Sequence, residues 1–329
     1  MWETTRQPEE FFRQLNKFDQ IWVASNWQRD CTIEQGTEPD KVKVIPEAVD
    51  ATIFHPNNNS TLPEYDDGRF KFTMFGRWDY RKSTKEIIES FLEEFDKDEP
   101  VDLILSIDNH MAKDDFKTTE ERLKHYKLVD PRLKIKHFPT REEYVKYLQK
   151  GHVFLSCARS VGWNLPLIEA MACGTPSIYS DCSGQLEFAQ GKGLPVKILK
   201  SIPAIGGEYS IYSQSELPGE FYQPDYNDLK KIMRDAYVNY KKHKKQALKE
   251  SIEIREKFTW ANIAEIAETE IDNFISTLGP LIKLTSILLG GKLAIKLSIS
   301  VSAISAILAQ VNFSRISIDS FNACFLCFL

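Results

Sequence analysis

The chain has 329 residues, 42% hydrophobic and 27% charged, with a formal net charge of −5. That suffices for one or two globular domains with buried cores and excludes a disordered or fibrous composition. The slightly acidic balance argues against nucleic acid as a partner, while leaving room for a local basic pocket that holds a phosphorylated ligand.

Cysteine usage and the first residues bound the setting. Cys31, Cys157, Cys173, Cys182, Cys324 and Cys327 show no paired zinc spacing, and free thiols in a reducing, cytoplasmic compartment are expected. The opening MWETTRQPEEFF is polar and acidic and does not read as a signal peptide.

Pro8 to Leu15 is predicted to be a short helix with Phe11, Phe12 and Leu15 on one side. Ile21 to Ala24 reads as a strand, and Ser25 as the cap of a helix from Asn26 to Glu34. Lys41 to Ile45 is another strand, ended by Pro46. Pro56 to Gly68 is polar and rich in turn residues, a linker by composition.

Phe70 to Phe75 opens the main domain as a strand closed by Gly76 and Arg77. Ser83 or Thr84 then caps a helix whose Ile87, Ile88, Phe91, Leu92 and Phe95 recur at a helical period. Arg77 and Lys82 stand at the carboxyl end of this strand, where open α/β sheets bind ligands. Two cations so close to one helix start suit a diphosphate, because arginine can fork two oxygens and lysine adds a compact charge. The spacing alone equally allows two solvated surface cations.

Val101 to Ile107 is a strand, Asp108 to His110 a loop, and Lys113 to Lys124 an exposed helix. Leu133 to His137 is a strand, followed by a turn at Phe138, Pro139 and Thr140. Thr140 with Glu143 reads as a capping box for a helix carrying Tyr144, Val145, Tyr147 and Leu148.

The chain is organised around residues 152–187. His152 to Cys157 is a buried strand, and a turn follows at Ser160 to Asn164, where Gly162 is expected to take the special backbone angles. Asn164 is an N-cap candidate, with Pro166 in the first turn of a helix through Leu165, Ile168, Glu169, Met171 and Ala172. Gly174 and Pro176 stop it, and Ser177 to Tyr179 starts the next strand. The free N–H groups and dipole of such a helix start favour an anion.

Ser183 to Glu187 opens another helix, and Leu194 to Ile198 is the last short strand. Residues 199–224 carry Gly, Pro, Ser and Tyr and read as a loop. Asp225 to Tyr240 is amphipathic, Lys241 to Lys249 a solvated basic face, and Thr259 starts a helix with Ile263, Ile266, Ala267, Ile271 and Phe274 in step. About six strands alternating with helices from Phe70 onward predict a doubly wound parallel sheet.

From Thr277 only five charged residues occur, and Leu297 to Val311 is an uncharged run of 15, short of a spanning helix. The tail 277–329 admits three readings: a membrane-contacting segment, a stretch with no selected fold, or a small appended module.

GWNLPLIEAMACGTPSI resembles the core motif of the retaining GT-B glycosyltransferases of the group-1 class. Gly162, Leu165, Pro166, Glu169, Ala170, Met171, Ala172, Gly174 and Pro176 match that motif. Gly76 and Arg77, followed by Lys82 and Ser83, resemble the family's donor-diphosphate pair. Glu3, Thr4, Pro8, Asp19, Trp22, Ser25, Val44, Ile45, Pro46, Val49, Asp50 and Pro56 follow its pattern at the end of the N-terminal domain. Phe258, Thr259 and Trp260 follow its closing helix. One departure matters: the family has a Glu with seven residues between it and the Glu at 169, and here that position is Val161.

The resemblance implies a Rossmann-like C-terminal half of a GT-B fold with a truncated N-terminal domain. Residues 1–56 would be the remnant and crossover, 57–224 the nucleotide-sugar domain, and 225–276 the closing helices. It implies a donor site of Gly76, Arg77, Lys82, His137, Phe138, Val161, Gly162, Asn164, Leu165 and Glu169. In that site Arg77 and Lys82 act catalytically on the leaving diphosphate, Glu169 accepts from the ribose, and His137 to Thr140 lie against the base. Position 161 faces the sugar hydroxyls.

The implied reaction is retaining transfer of a hexose from a UDP- or GDP-sugar to a glycan, lipid or protein acceptor. No metal or other cofactor is expected, because positive side chains and N–H groups can stabilise the leaving group. A second chain supplying an N-terminal domain is a candidate partner. The alternative is an impaired fragment serving as a nucleotide-binding or interaction module, since valine accepts no hydrogen bond.

Overall fold

The computed structural model describes residues 2–57, 62, 67–109, 116, 118–205 and 219–288, with side chains as far as 277. Residues 1–264 form one compact unit. Within it, helix α1 (Glu9–Leu15) precedes β1 (Ile21–Val23), α2 (Asn26–Glu34) and β2 (Val42–Val44). β1 and β2 pair in parallel, Ile21 opposite Val42. Ser25 caps α2 as expected, its Oγ accepting from the N–H of Gln28.

The main sheet starts with β3 (Phe70–Phe75), followed by α3 (Thr84–Glu94), β4 (Val101–Ser106), α4 (Thr119–His125), β5 (Leu133–Ile135) and α5 (Arg141–Lys150). It continues with β6 (Val153–Ser156), α6 (Leu165–Ala172), β7 (Ser177–Ser180), α7 (Leu186–Ala189) and β8 (Leu194–Val196). The six strands lie in the order β5-β4-β3-β6-β7-β8, all parallel. All six residues of β3 are buried, as a parallel strand covered on both faces requires. α3 lays Ile87, Ile88 and Phe91 on one side of the sheet against Phe72, Leu103 and Leu105. Lys71 is the exception in this core. Its ammonium pairs with Asp102 at 3.4 Å and with Asp67.

Two expectations are corrected. The run 199–224 is not a plain loop: β9 (Ile198–Pro203) and β10 (Glu220–Pro224) form an antiparallel pair. Phe221 of β10 is buried with Ala204, against Ile202 and Trp2, and the Thr5 hydroxyl accepts from the Glu220 N–H at 2.8 Å. The pair is stabilised by residues some two hundred positions away, so its local composition carried no strand signal. The last strand of the main sheet accordingly ends at Val196 rather than Ile198.

α8 (Tyr226–Val238) is capped by Asp225, which accepts from Asn227 and Asp228. α9 (Tyr240–Lys257) follows, and α10 (Trp260–Leu288) begins in the first unit. Val49, after β2, donates its N–H to the carbonyl of Phe258 at 2.8 Å, tying the segment after β2 to the end of α9. Among the described residues no helix is long and apolar enough to cross a membrane. Much of the predicted linker, the first part of the predicted 113–124 helix, and residues 289–329 of the tail lie outside the described residues.

Candidate functional site

The chain enters the sheet at β3, runs outward through β4 and β5, then returns to the other side of β3 at β6. The connections that leave β3 and β6 therefore depart in opposite directions and open a crevice at the strands' carboxyl ends. Residues 76–83 follow β3, and residues 157–164 follow β6.

The first loop starts at Gly76, whose φ of 142° lies where side chains are strained. Arg77 is half-buried beyond it. Arg81 is buried, and its Nη1 donates to the carbonyl of Ser160 at 2.9 Å. The Arg159 N–H donates back to the Arg81 carbonyl at 2.7 Å, so the two loops are stitched together. Lys82 is half-buried, and no carboxylate among the described residues pairs with its ammonium. Desolvation, then the charge of Arg81, lowers its pKa to about 8. Of the two expected caps, Thr84 is already the first residue of α3, and Ser83 stands at the N-cap with a left-handed backbone (φ 52°) and no side-chain cap hydrogen bond. Its Oγ accepts instead from Tyr226 at 3.1 Å.

The second loop is anchored against the start of the next helical turn. The Val161 N–H donates to Ser183 Oγ at 3.0 Å, and the Gly184 N–H donates to the Val161 carbonyl at 2.9 Å. A Cβ on Gly184 would stand 1.9 Å from the Gly162 carbonyl oxygen, so only glycine permits this approach. The special backbone expected at Gly162 belongs instead to Asn164, with φ 102°. Asn164 occupies the N-cap position of α6 but makes no side-chain cap. Its amide is drawn away, donating to Ser156 Oγ at 2.9 Å and Gln185 Oε1 at 2.7 Å. The Val161 side chain is fully buried, and Leu165 is half-buried at the helix start. Trp163 packs between Phe188 and Phe258.

Glu169 projects from α6 into an aromatic cluster. Tyr144 donates to its Oε2 at 2.5 Å. Burial pushes the Glu169 carboxyl up to about 7 despite that hydrogen bond. Phe138 packs on Phe75 and Tyr144, with ring centroids 4.9 and 5.7 Å apart, so the cluster abuts the end of β3 just before Gly76. His137 is exposed, its Nδ1 3.4 Å from Asp108 Oδ2. The capping box expected at Thr140 is half formed: Thr140 Oγ1 accepts from the Glu143 N–H.

The structure brings in residues that the sequence did not assign to the site. Ser25 Oγ donates to the Gly162 carbonyl at 3.0 Å, and Glu187 accepts from the Asn26 N–H at 2.9 Å. Glu3 reaches the same loop: its Oε1 accepts from the Gly162 N–H at 3.3 Å and its Oε2 pairs with Arg81 Nη2 at 2.6 Å. Glu3 stood in the sequence only as part of a motif, and nothing near it signalled a contact with residue 162. Among the described residues, no three His, Cys, Asp or Glu side chains gather as a metal ion would need.

Comparison with known proteins is consistent with this geometry. Residues 60–193 match the family described as Glycosyl transferases group 1. Over 102 residues the chain is 26% identical to ORF330 of Acidianus filamentous virus 2, whose name proposes a glycosyltransferase; the match covers 31% of each chain. Over 51 residues it is 39% identical to protein 48 of a Sulfolobus islandicus filamentous virus, named in the same way, covering 16% of each. Among solved structures, sucrose-phosphate synthase of Thermosynechococcus elongatus superposes with a TM-score of 0.60 at 19% identity, over 81% of this chain and 61% of that one. Anabaena HepE in complex with UDP-glucose superposes with a TM-score of 0.61 at 16% identity, over 79% and 66%. The chain thus spans under two thirds of the first of these structures and about a third or less of the viral relatives. The match to the group 1 glycosyltransferases covers residues 60–193, and the fold is the Rossmann-like parallel α/β fold shared with GT-B glycosyltransferases.

Proposed function

We propose that the chain binds a nucleotide-diphosphate sugar, UDP- or GDP-linked, in the crevice between residues 76–83 and 157–169, and transfers the hexose with retention to a glycan, lipid or protein acceptor. Lys82 carries the reading. A desolvated ammonium with no carboxylate partner among the described residues, beside Arg77 and Arg81 at a sheet switch point, is what a diphosphate would neutralise. The Anabaena HepE complex, which holds UDP-glucose, supports the same ligand class.

In transfer, the bond from the anomeric carbon to the diphosphate oxygen breaks. Negative charge grows on the leaving diphosphate while the sugar becomes oxocarbenium-like. Arg77 and Lys82 would stabilise the leaving group by fixed positive potential, and the N–H groups at the start of α6 would add to it. Glu169 would accept from the ribose hydroxyls, and the backbone and rings at His137 and Phe138 would line the base. The proposal needs no metal.

Val161 favours a second reading, a nucleotide-binding module with little turnover, because its buried apolar side chain offers nothing to a sugar hydroxyl. Calorimetric titration of the full chain with UDP, GDP and ADP tests the donor site. One nucleotide should bind and be weakened by about 10-fold or more in Arg77→Ala; no binding of any nucleotide by the folded chain rejects both readings. Release of free UDP or GDP from the matching sugar nucleotide then separates a transferase from a binding module.

A further inference from the structure

We propose that Glu3 is a sugar-recognising residue of the donor site, supplying the carboxylate that position 161 lacks. This rests on the donor reading above. Both oxygens of Glu3 are fixed inside the crevice, Oε1 by the Gly162 N–H at 3.3 Å and Oε2 by Arg81 at 2.6 Å. Arg81 is itself buried and tied to the Ser160 carbonyl, so the carboxylate is positioned on a rigid support rather than on a swinging side chain. A carboxylate has about four acceptor sites, and the two described contacts leave others open to hydroxyl groups. The charge of Glu3 acts on Lys82 and, with that of Asp79, partly counters the repulsion from Arg81 and Arg77.

The location fits a polyol better than a phosphate. Glu3 offsets Arg81, whereas Lys82 keeps its charge without an ion-pair partner among the described residues. The crevice is thereby divided into a cationic part that suits the diphosphate and an acidic part that suits neutral hydroxyls. A second carboxylate, Glu47, lies close enough for its charge and that of Glu3 to repel. Next to Glu3 the Val161 side chain is buried and contributes no acceptor.

The test is calorimetry on the full chain with UDP and UDP-glucose, and in parallel with GDP and GDP-mannose, for the wild type, Glu3→Gln and Glu3→Ala. The ratio of bare-nucleotide to sugar-nucleotide affinity is the readout, and retained binding of the bare nucleotide certifies the fold of each variant. Glu3→Gln should leave the bare nucleotide unchanged or tighter, since one negative charge near the diphosphate is gone. It should weaken the sugar nucleotide by about 10-fold or more, as loss of a charged acceptor implies. Glu3→Ala should weaken it further. An unchanged ratio in both variants, or an equal loss for both ligands, overturns the assignment while the donor site stands. Failure of the wild type to bind any nucleotide overturns the donor site, and this inference with it.

Discussion

Tyr144 and Glu169 are joined by a 2.5 Å hydrogen bond inside the protein, phenol donating to carboxylate, and it ties α5 to α6 at the candidate site. Tyr144→Phe removes the donor and leaves a buried carboxyl unsatisfied. Stability should fall by about 1–3 kcal/mol in urea denaturation. The Glu169 carboxyl should titrate higher still, because the hydrogen bond that lowers its pKa is lost. If Tyr144→Phe matches the wild type on both measures, the bond has no structural weight.

Glu169 and Glu47 both titrate near 7, in each case chiefly because burial disfavours the charged form. Their ordinary value is 4.5, so the folded state binds more protons than the unfolded one between pH 4.5 and 7. Their stabilising contribution is therefore full below pH 4.5 and is lost as pH rises through 7. The effect of Glu169 is on the order of 3 kcal/mol. Thermal unfolding followed from pH 5 to pH 8 should show a falling Tm, and Glu169→Gln should flatten the curve. A Tm that rises over this interval in the wild type and is unaltered by the substitution contradicts the burial account.

Lys82, lowered to about 8 by desolvation, sets a pH window for ligand binding. The ammonium is the form that attracts a diphosphate, so nucleotide affinity should be level below pH 8 and decline above it. The sign follows from which protonation state the ligand prefers. Lys82→Arg should abolish the decline up to pH 10, because guanidinium stays charged there. Persistence of the decline in that variant would assign it to another group.

Arg77→Ala should weaken the bound nucleotide by about 10- to 100-fold through loss of a charge-assisted contact. It should change urea stability by no more than about 1 kcal/mol, the side chain being only half-buried. Loss of folding in place of loss of binding would mark Arg77 as structural.

Gly184→Ala tests the loop packing. Its Cβ would sit 1.9 Å from the Gly162 carbonyl, so the turn after β6 has to move. A destabilisation of about 1–3 kcal/mol is expected, together with weaker nucleotide binding. Wild-type stability and binding in this variant would show that the loop accommodates a side chain.

The sequence by itself determined the alternation of strands and helices from Phe70 to Val196, because buried parallel strands and amphipathic helices are written in local hydrophobic periods. It also named the two stretches of the candidate site, since Gly76, Arg77 and Lys82 and the Gly162–Pro176 motif carry glycines and cations that are themselves the signal. Tertiary structure alone decided the strand order that brings those stretches to one crevice, and the pairing of β9 with β10, which rests on Trp2 and Thr5. It alone decided that Asn164 rather than Gly162 takes the left-handed turn, because Ser156 and Gln185 draw its amide away from the helix. And it alone brought Glu3 onto Gly162 and Arg81. A contact between a carboxylate and an N–H group 159 residues apart leaves no trace in either neighbourhood, since hydrogen-bond partners at that distance are chosen by the fold.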